Sequence, residues 1–345
     1  MFSRAEHSIS VVIPVHNGGE AFRQCLASLA LAAPAPLEVI VVVDGDTDSS
    51  WQVAEEFGAT VIRISHNGGP AKARNLGAKV ANGEILFFVD ADVAIHPDTL
   101  GRVEDEFRRS PNLTALIGSY DDAPGAPNFL SQYKNLFHHY THQTAQTEAS
   151  TFWGACGAIR RDVFWKVGGF DENYRRPCVE DIELGYRLKQ LGYEIRLCKS
   201  LEVKHLKRWG IVSLLKADFF YRALPWTALI LRDRQFNNDL NLNVANRISV
   251  VLVYCLLMTL VAAWWWPIVM LLAVPISLML LGINRPVYQF FRTKRGLRFA
   301  LQTILWHWFY YFYGGLAFAI GLVRHQFRYH NMLVINQISR GLFRG

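Results

Sequence analysis

Residues Ile85–Val93 read ILFFVDADV, an apolar run that ends in two aspartates separated by one residue. Five consecutive apolar residues are typical of a strand that is buried on both faces of a parallel sheet. Open α/β sheets bind ligands at the carboxyl ends of their strands, which is where Asp90 and Asp92 fall. Two carboxylates there can hold a divalent cation with open positions for substrate phosphates. Acidic pairs at this spacing also occur in solvated turns, so the motif alone leaves both interpretations open.

The sequence around this strand alternates between strand and helix patterns. The apolar runs SVVIPV, EVIVVVD and ATVIRIS each precede a polar turn and a helical pattern. Such alternation over about the first 100 residues predicts βαβ units and a largely parallel sheet. Because the carboxyl ends of parallel strands meet at one edge, one cleft is expected to contain Asn17, Asp44, Arg74, Asp90 and Asp92.

Five segments resemble, in order, the inverting family 2 glycosyltransferases with a GT-A fold. They are VVIPVHNGG, VVVDGDTDSS, GGPAKARNLGAKVANGEILFFVDAD, TFWGACGAIRRDVFWKVGGFDE and VEDIELGYRLKQLGY. The resemblance runs from about Ser8 to Trp209. It implies an α/β catalytic domain with a Rossmann-like, mostly parallel sheet, assigned to residues 1–208.

The resemblance implies a nucleotide site on the donor side. Pro14 and Val15 would line the base pocket through their backbone, and Asp44 would recognise the base. Arg74 would lie against the nucleotide. The donor would be a nucleotide-diphosphate sugar, most simply a UDP-sugar.

The resemblance also implies a metal site and a catalytic base. Asp92 would be the principal ligand of Mg2+ or Mn2+, with Asp90 near the ribose and the metal and with His205 completing the site. Asp181, in the pair Glu180-Asp181, matches the family's base. Transfer from a diphosphate needs the leaving charge neutralised and the acceptor hydroxyl deprotonated. The alternative is that both acids only stabilise the amino end of the helix that follows.

Two further segments are expected near the acceptor and the diphosphate. Trp153 and Gly154 belong to a small-residue segment that relatives place against the donor sugar and acceptor, and Glu180 is assigned to the same side. The run HLKRW, residues 205–209, resembles the Gln-x-x-Arg-Trp signature of processive polysaccharide synthases with histidine in place of glutamine. Arg208 and Trp209 are therefore predicted to contact the donor.

The composition changes after the matched region. Residues 209–247 mix aromatic, aliphatic and basic residues, which suits helices in a membrane interface. Residues 248–283 carry no charge over 36 positions, more than one span of about 20 residues needs. They predict a transmembrane hairpin that turns near residues 264–267.

The remaining segments complete a membrane region. Residues 284–298 are predicted to form a basic cytoplasmic loop, residues 299–323 a third transmembrane or re-entrant segment, and residues 324–345 a basic tail. The expected location is the cell membrane, multi-pass, with the catalytic domain in the cytoplasm. The side of the tail stays open, since three complete spans would place its arginines outside.

Charge and cysteine usage agree with this arrangement. The net charge of +7 would permit nucleic-acid binding, but the basic residues flank apolar segments, so membrane lipids are the expected anionic partner and no nucleic acid is expected. The five cysteines include no CxxC pair, which favours reduced thiols. No amino-terminal signal peptide is expected, because the first apolar run is a short strand.

The sequence therefore predicts a membrane-anchored, metal-dependent inverting glycosyltransferase that moves a sugar to a lipid-linked acceptor. A processive polysaccharide synthase is the alternative enzyme, and a non-catalytic membrane scaffold with the same fold is the alternative from another class. A ladder of oligomeric products would support the synthase, whereas a single added sugar would oppose it. A scaffold would show no turnover. The donor sugar, the acceptor and the oligomeric state are left open.

Overall fold

The computed structural model describes residues 8–234 and 238–342, with backbone alone from residue 328 onward. The chain forms two compact units, a first that ends at Ile211 and a second that begins at Val212. All five cysteines are free thiols.

The first unit is an α/β domain. Within residues 8–211 its strands are β1 (Ile9–Val15), β2 (Glu38–Asp44), β3 (Thr60–Ile64), β4 (Ile85–Val89), β5 (Val93–Ile95), β6 (Ala115–Tyr120), β7 (Cys156–Arg160) and β8 (Ile195–His205). Its helices are α1 (Gly19–Ala30), α2 (Ser50–Glu56), α3 (Pro70–Val80), α4 (Thr99–Arg109), α5 (Phe129–Thr144), α6 (Arg161–Lys166) and α7 (Glu180–Gln190).

The strands form one mixed sheet in the order β3-β2-β1-β4-β7-β6-β8-β5. The β3-β2-β1-β4 half is parallel, as predicted. Strand β7 then runs antiparallel to both β4 and β6, whereas β8 is parallel to β6 and antiparallel to β5. The strand order reverses at β1, between β2 and β4, and this is the position where open α/β sheets bind ligands.

Both faces of the sheet are covered by helices. Alternate residues of β4 point to opposite sides, so Phe87 packs with the residues of α1 and α4, and Phe88 packs with those of α3, α6 and α7. All five residues of β4 are buried. This two-sided burial explains the continuous apolar run before Asp90. It also holds in place the carboxyl end of β4, which both aspartates follow.

The second unit is helical. Its elements are α8 (Ile211–Lys216), a π-helix (Ala217–Ala223), α9 (Leu224–Asp233), a 3-10 helix (Leu240–Leu242), α10 (Val244–Ala262), a second 3-10 helix (Pro267–Leu272), α11 (Ala273–Ile283) and α12 (Arg285–Leu342). Helix α12 kinks at Gly296, whose φ of 83° lies in the left-handed region that glycine adopts readily.

A buried polar cluster joins α10, α11 and α12. Asn284, just after α11, donates from Nδ2 to Ser249 Oγ near the start of α10, over 2.9 Å. The Tyr311 hydroxyl of α12 lies 2.7 Å from Asn284 Oδ1 and 2.9 Å from Asn246 Oδ1. Because the end of α11 meets the start of α10, the two helices run antiparallel.

Fewer membrane spans are found than predicted. Among the described residues, α10 is the single helix long and apolar enough to cross a membrane. Residues 267–283 and residues 285–327 of α12 count as a second candidate only if they are taken as one span bent by 63°. The multi-pass prediction is not supported, because the return limb is split into a 3-10 helix and an 11-residue α-helix.

Two boundary predictions also need correction or restriction. The predicted basic loop at residues 284–298 is helical apart from the kink at Gly296, because Val287, Tyr288 and Phe291 give it a buried apolar face. The predicted tail, residues 324–345, continues this helix to Leu342. Its side chains from residue 328 and its last three residues lie outside the described part of the chain.

Candidate active site

Asp44 ends β2 and is fixed by the turn that precedes α3. Its Oδ1 accepts a hydrogen bond from the Gly68 amide over 2.7 Å, and its Oδ2 accepts one from the Gly69 amide over 2.8 Å. The residue is buried, with 4% of its surface exposed. Its carboxylate therefore orders the 68–69 turn, and each oxygen keeps a further lone pair for a ligand. Pro14 and Val15 lie beside it in register, opposite Val42 and Val43.

Arg74 connects two of the predicted acidic residues. Its Nη2 lies 2.7 Å from Asp90 Oδ1, and its Nη1 lies 2.9 Å from Glu180 Oε1. Burial by itself lowers the pKa of Arg74, but Asp90, Glu180 and Asp181 together raise it above its usual value. The Arg74 side chain is only 5% exposed. Arg74 was predicted to lie against the nucleotide, and in the structure its guanidinium binds Asp90 and Glu180.

Glu180 and Asp181 begin α7, and their surroundings differ. The Glu180 carboxylate is buried. It accepts a hydrogen bond from Arg74 at Oε1 and one from the Cys178 amide at Oε2, the latter over 2.8 Å. Asp181 is only partly buried, and its oxygens accept from the Gly154 amide over 3.1 Å and the Ile182 amide over 2.8 Å. Burial and the neighbouring Glu180 carboxylate raise the pKa of Asp181 to about 6. This pKa suits a general base near neutral pH.

Gly154 packs against the guanidinium of Arg74 and holds Asp181. A methyl group at Gly154 would lie 2.9 Å from Arg74 Cζ, which is too close for an ordinary contact. The glycine therefore allows the backbone to pass between Arg74 and Asp181. Asp90, Arg74, Gly154 and Asp181 form one connected group, with Glu180 as its second carboxylate.

Asp92 and His205 lie together because β5 pairs with β8. Val93 is opposite His205 in that pairing, and His205 Nε2 lies 3.9 Å from Asp92 Oδ2. Burial alone raises the pKa of Asp92, but His205 and Lys207 outweigh it and hold that pKa below its usual value. Asp92 is therefore an anion at neutral pH.

The predicted three-residue metal site is not assembled. In residues 8–234 and 238–327, no three His, Cys, Asp or Glu side chains are grouped so that they could hold an ion. Asp90 instead pairs with Arg74. Asp92 and His205 do fit one ion, because two ligands at about 2.1 Å from a metal lie about 3 to 4 Å apart. A site with two protein ligands leaves room for phosphate oxygens and water.

An aromatic stack fixes the imidazole of His205. The Tyr120 ring stacks on it with centroids 4.3 Å apart and planes 13° apart. Trp153 meets the same tyrosine edge to face at 4.8 Å. The tyrosine carbonyl in turn lies 2.7 Å from His139 Nδ1 on α5. Trp153 therefore supports His205 through the Tyr120 ring. The small-residue pattern of its segment does not indicate this role.

Arg208 and Trp209 follow His205 on a segment tied to α5. The Trp209 amide donates to Ser131 Oγ over 2.7 Å, and its carbonyl accepts from Asn128 Nδ2 over 2.8 Å. Arg208 is exposed. The segment is therefore fixed through its backbone, while the Arg208 side chain faces solvent.

Lys207 was missed in the sequence interpretation. Its ammonium lies 3.4 Å from Asp92 Oδ2 and 4.8 Å from the centre of the Trp209 ring. The available signal was its spacing, two residues after His205, which places both side chains on the same side of an extended segment. The Gln-x-x-Arg-Trp signature specifies only Arg208 and Trp209 in this segment and leaves the position of Lys207 open.

A cleft of about 900 Å3 lies beside the 66–68 turn and the 168–175 loop. None of the predicted site residues lines it. The connected carboxylates, and not this cleft, therefore mark the candidate active site.

The fold and the site define the class of protein. A sheet whose parallel half delivers Asp44 and Asp90, followed by a helix that begins Glu180-Asp181, is that of a GT-A glycosyltransferase domain. The family model described as glycosyl transferase family 2 matches residues 10–168, and one described as the N-terminal domain of galactosyltransferase matches residues 134–209. Residues 10–168 thus match glycosyltransferase family 2, and the predicted family and fold class are confirmed.

Curated relatives support the same family. A glucosyl-dolichyl phosphate glucuronosyltransferase from Haloferax volcanii is 25% identical over 49% of this chain and 57% of its own length. A validoxylamine A glucosyltransferase from Streptomyces hygroscopicus is 27% identical over 59% of this chain and 51% of its own length. The chain thus covers little more than half of either relative.

A solved structure shares the fold. The mannosyltransferase from Pyrobaculum calidifontis, in complex with GDP-Man and Mn2+, matches with a TM-score of 0.55 at 16% identity. The match covers 90% of this chain and 86% of that one.

Proposed function

We propose that the chain transfers a sugar from a nucleotide-diphosphate donor to a lipid-linked acceptor at the cytoplasmic face of a membrane, with inversion at the anomeric carbon. The observation that carries this proposal is Asp181. It is a partly buried carboxylate with a pKa raised to about 6, held by two backbone amides beside the Asp90-Arg74-Glu180 group.

Asp181 is suited to remove the proton from an attacking hydroxyl. Each of its oxygens accepts one backbone hydrogen bond, which leaves one lone pair on each for the acceptor. At pH 7 a carboxyl with a pKa of about 6 is mostly deprotonated, yet it is more basic than an ordinary aspartate. A single displacement, with the acceptor opposite the leaving diphosphate, gives inversion.

Donor binding is assigned to the strand ends. Asp44, at the end of β2, and the backbone of Pro14 and Val15 lie where a nucleotide would meet the carboxyl edge of the sheet. Asp92 and His205 would hold a Mg2+ or Mn2+ ion, which supplies charge neutralisation at the leaving diphosphate. The GDP-Man and Mn2+ of the Pyrobaculum mannosyltransferase accord with this donor and metal class.

The lipid-linked acceptor is proposed from the second unit. Helix α10 has the length and composition of a membrane span and exposes large apolar side chains such as Val251, Met258 and Val261. An anchor confines an enzyme to the plane in which a lipid-linked acceptor lies. The Haloferax relative, whose name describes a dolichyl phosphate acceptor, points to the same acceptor class.

The test is release of nucleoside diphosphate by the full-length protein in detergent. UDP-, GDP- and dTDP-sugars are each supplied with Mn2+ or Mg2+ and a membrane lipid extract. We expect release with one donor that depends on both the lipid extract and the metal ion. Asp181→Asn should reduce this release at least about 100-fold, since general-base catalysis is worth about that much.

A matched variant separates chemistry from folding. Asp171→Asn changes an aspartate in the loop before α7, which makes none of the contacts that connect Asp90, Arg74 and Asp181. It should retain wild-type release. If the folded wild type releases no diphosphate with any donor, or if Asp181→Asn keeps full activity, the proposed function is wrong.

A further inference from the structure

We propose that Lys207 is an exchangeable cation, which neutralises Asp92 while the metal position is empty and moves to the donor diphosphate when a divalent ion binds. This inference rests on the proposed function, because it assigns Lys207 to the donor site. It adds a donor-binding residue to the site and a step that precedes the reaction.

The first observation is the position of the ammonium. Lys207 Nζ lies 3.4 Å from Asp92 Oδ2, the same oxygen that His205 Nε2 approaches to 3.9 Å. A metal ion bound by Asp92 and His205 would need this oxygen. The ammonium therefore competes with the ion for one carboxylate oxygen, and both cannot be bound to it without strong repulsion.

The second observation is that the side chain can move while its backbone stays in place. The Leu206 amide donates to the Asp92 carbonyl over 2.8 Å, and the Trp209 amide donates to Ser131 Oγ over 2.7 Å. The backbone is thus fixed on both sides of Lys207. Its side chain is 46% exposed and rests on the Trp209 ring, so its release breaks one partly exposed ion pair and one ring contact. Such contacts are weak enough to exchange.

The third observation is that Arg74, a second cation among the carboxylates, is already committed. Arg74 is bound to both Asp90 and Glu180, and its side chain is only 5% exposed. A diphosphate that arrives with a metal ion still carries oxygens that need donors, and a lysine ammonium is a common phosphate ligand. Lys207, once displaced from Asp92, is about half exposed and has a charge to offer them.

The test begins with metal binding in the absence of nucleotide. Binding of Mn2+ to the full-length protein in detergent is followed by electron paramagnetic resonance, which detects the free ion. Lys207→Met keeps the apolar stem and removes the charge. We expect it to bind Mn2+ about fivefold more tightly than wild type, the factor that a partly exposed ion pair supports. Structural damage would weaken binding, so a gain in affinity identifies competition.

Lys204→Met is the matched control. Lys204 lies three residues earlier on β8 and is similarly exposed, but it pairs with Asp121 at 3.4 Å and not with Asp92. Its Mn2+ affinity should equal that of wild type. The second measurement is calorimetric binding of UDP and of GDP at saturating Mn2+. For whichever nucleotide wild type binds, Lys207→Met should bind about tenfold more weakly, the loss expected for one charge-assisted phosphate contact.

The possible results are distinct. Unchanged or weaker Mn2+ affinity in Lys207→Met overturns the exchange, as does an absence of Mn2+ binding by wild type. Unchanged nucleotide affinity overturns the move to the diphosphate. A failure of the proposed function would instead appear as no diphosphate release with any donor, and the metal titration would still report on Lys207.

Discussion

Glu180→Gln tests whether the site tunes its base through a neighbouring carboxylate. The Glu180 anion disfavours a second negative charge on Asp181, so it raises the pKa of Asp181. The variant removes that charge and also leaves Arg74 with one carboxylate partner fewer. Both changes stabilise the Asp181 anion. The pKa of Asp181 should therefore fall from about 6, and the acid limb of the pH-rate profile should move to lower pH.

The size of the shift follows from Coulomb's law. Two charges on the order of 6 Å apart, at an effective dielectric constant of about 40, interact by about 1.4 kcal/mol. One pKa unit corresponds to about 1.36 kcal/mol, so the expected shift is about one unit. At pH 5 the deprotonated fraction of Asp181 would then rise from about one tenth to about one half.

The assay is kcat/KM for diphosphate release between pH 4.5 and 8, with the metal ion kept saturating at each pH. This parameter reports ionisations of the free enzyme. Glu183→Gln is the matched control. Glu183 is a buried carboxylate on the same helix, but it pairs with Arg187 and not with Arg74. An acid limb that stays in place in Glu180→Gln, or moves equally in Glu183→Gln, would refute the reasoning.

Three further predictions concern the metal ligand, the glycine contact and the helical unit. Asp92→Asn should lower both turnover and Mn2+ affinity at least about 100-fold with little change in melting temperature. These three quantities are measured by release assay, titration and calorimetry. Full turnover in the variant would count against the metal assignment. Gly154→Ala should push its new methyl group into Arg74 Cζ, 2.9 Å away, and reduce turnover at least about tenfold. The control Gly314→Ala, whose methyl group would have nothing within 4 Å, should keep wild-type turnover. Asn284→Ala should lower the melting temperature in detergent by several degrees, because it removes the buried amide that bonds both Ser249 and Tyr311, at a cost of about 1 to 3 kcal/mol. Exposed Gln289→Ala should have no effect, and equal melting of both variants would contradict the buried network.

Much of the first unit is predictable from its sequence because its signals are local. The apolar run before Asp90 fixes β4, and the alternation of patterns fixes the parallel half of the sheet. The direction of β7 is not fixed in this way, since the run CGAIR reads the same as a parallel or an antiparallel strand. The mixed character of the sheet therefore depends on packing that no local pattern encodes.

The site contacts that were missed depend on distant pairings. Arg74 and Glu180 are 106 positions apart, and their contact buries the arginine that was expected to face the nucleotide. Lys207 reaches Asp92 only because Val93 pairs with His205 across two strands. The charges of residues 284–298 predict a loop, whereas the stretch is mostly helical and its buried apolar face is hidden in the sequence among those charges.

The most direct measurement is transfer of a radiolabelled sugar from its nucleotide donor into the lipid phase of a membrane extract, with wild type and Asp181→Asn compared at equal folded concentration. The account predicts one labelled glycolipid that carries a single added sugar, formed by wild type and lost in the variant. A ladder of products, label that stays in the aqueous phase, or equal transfer by the variant would contradict it.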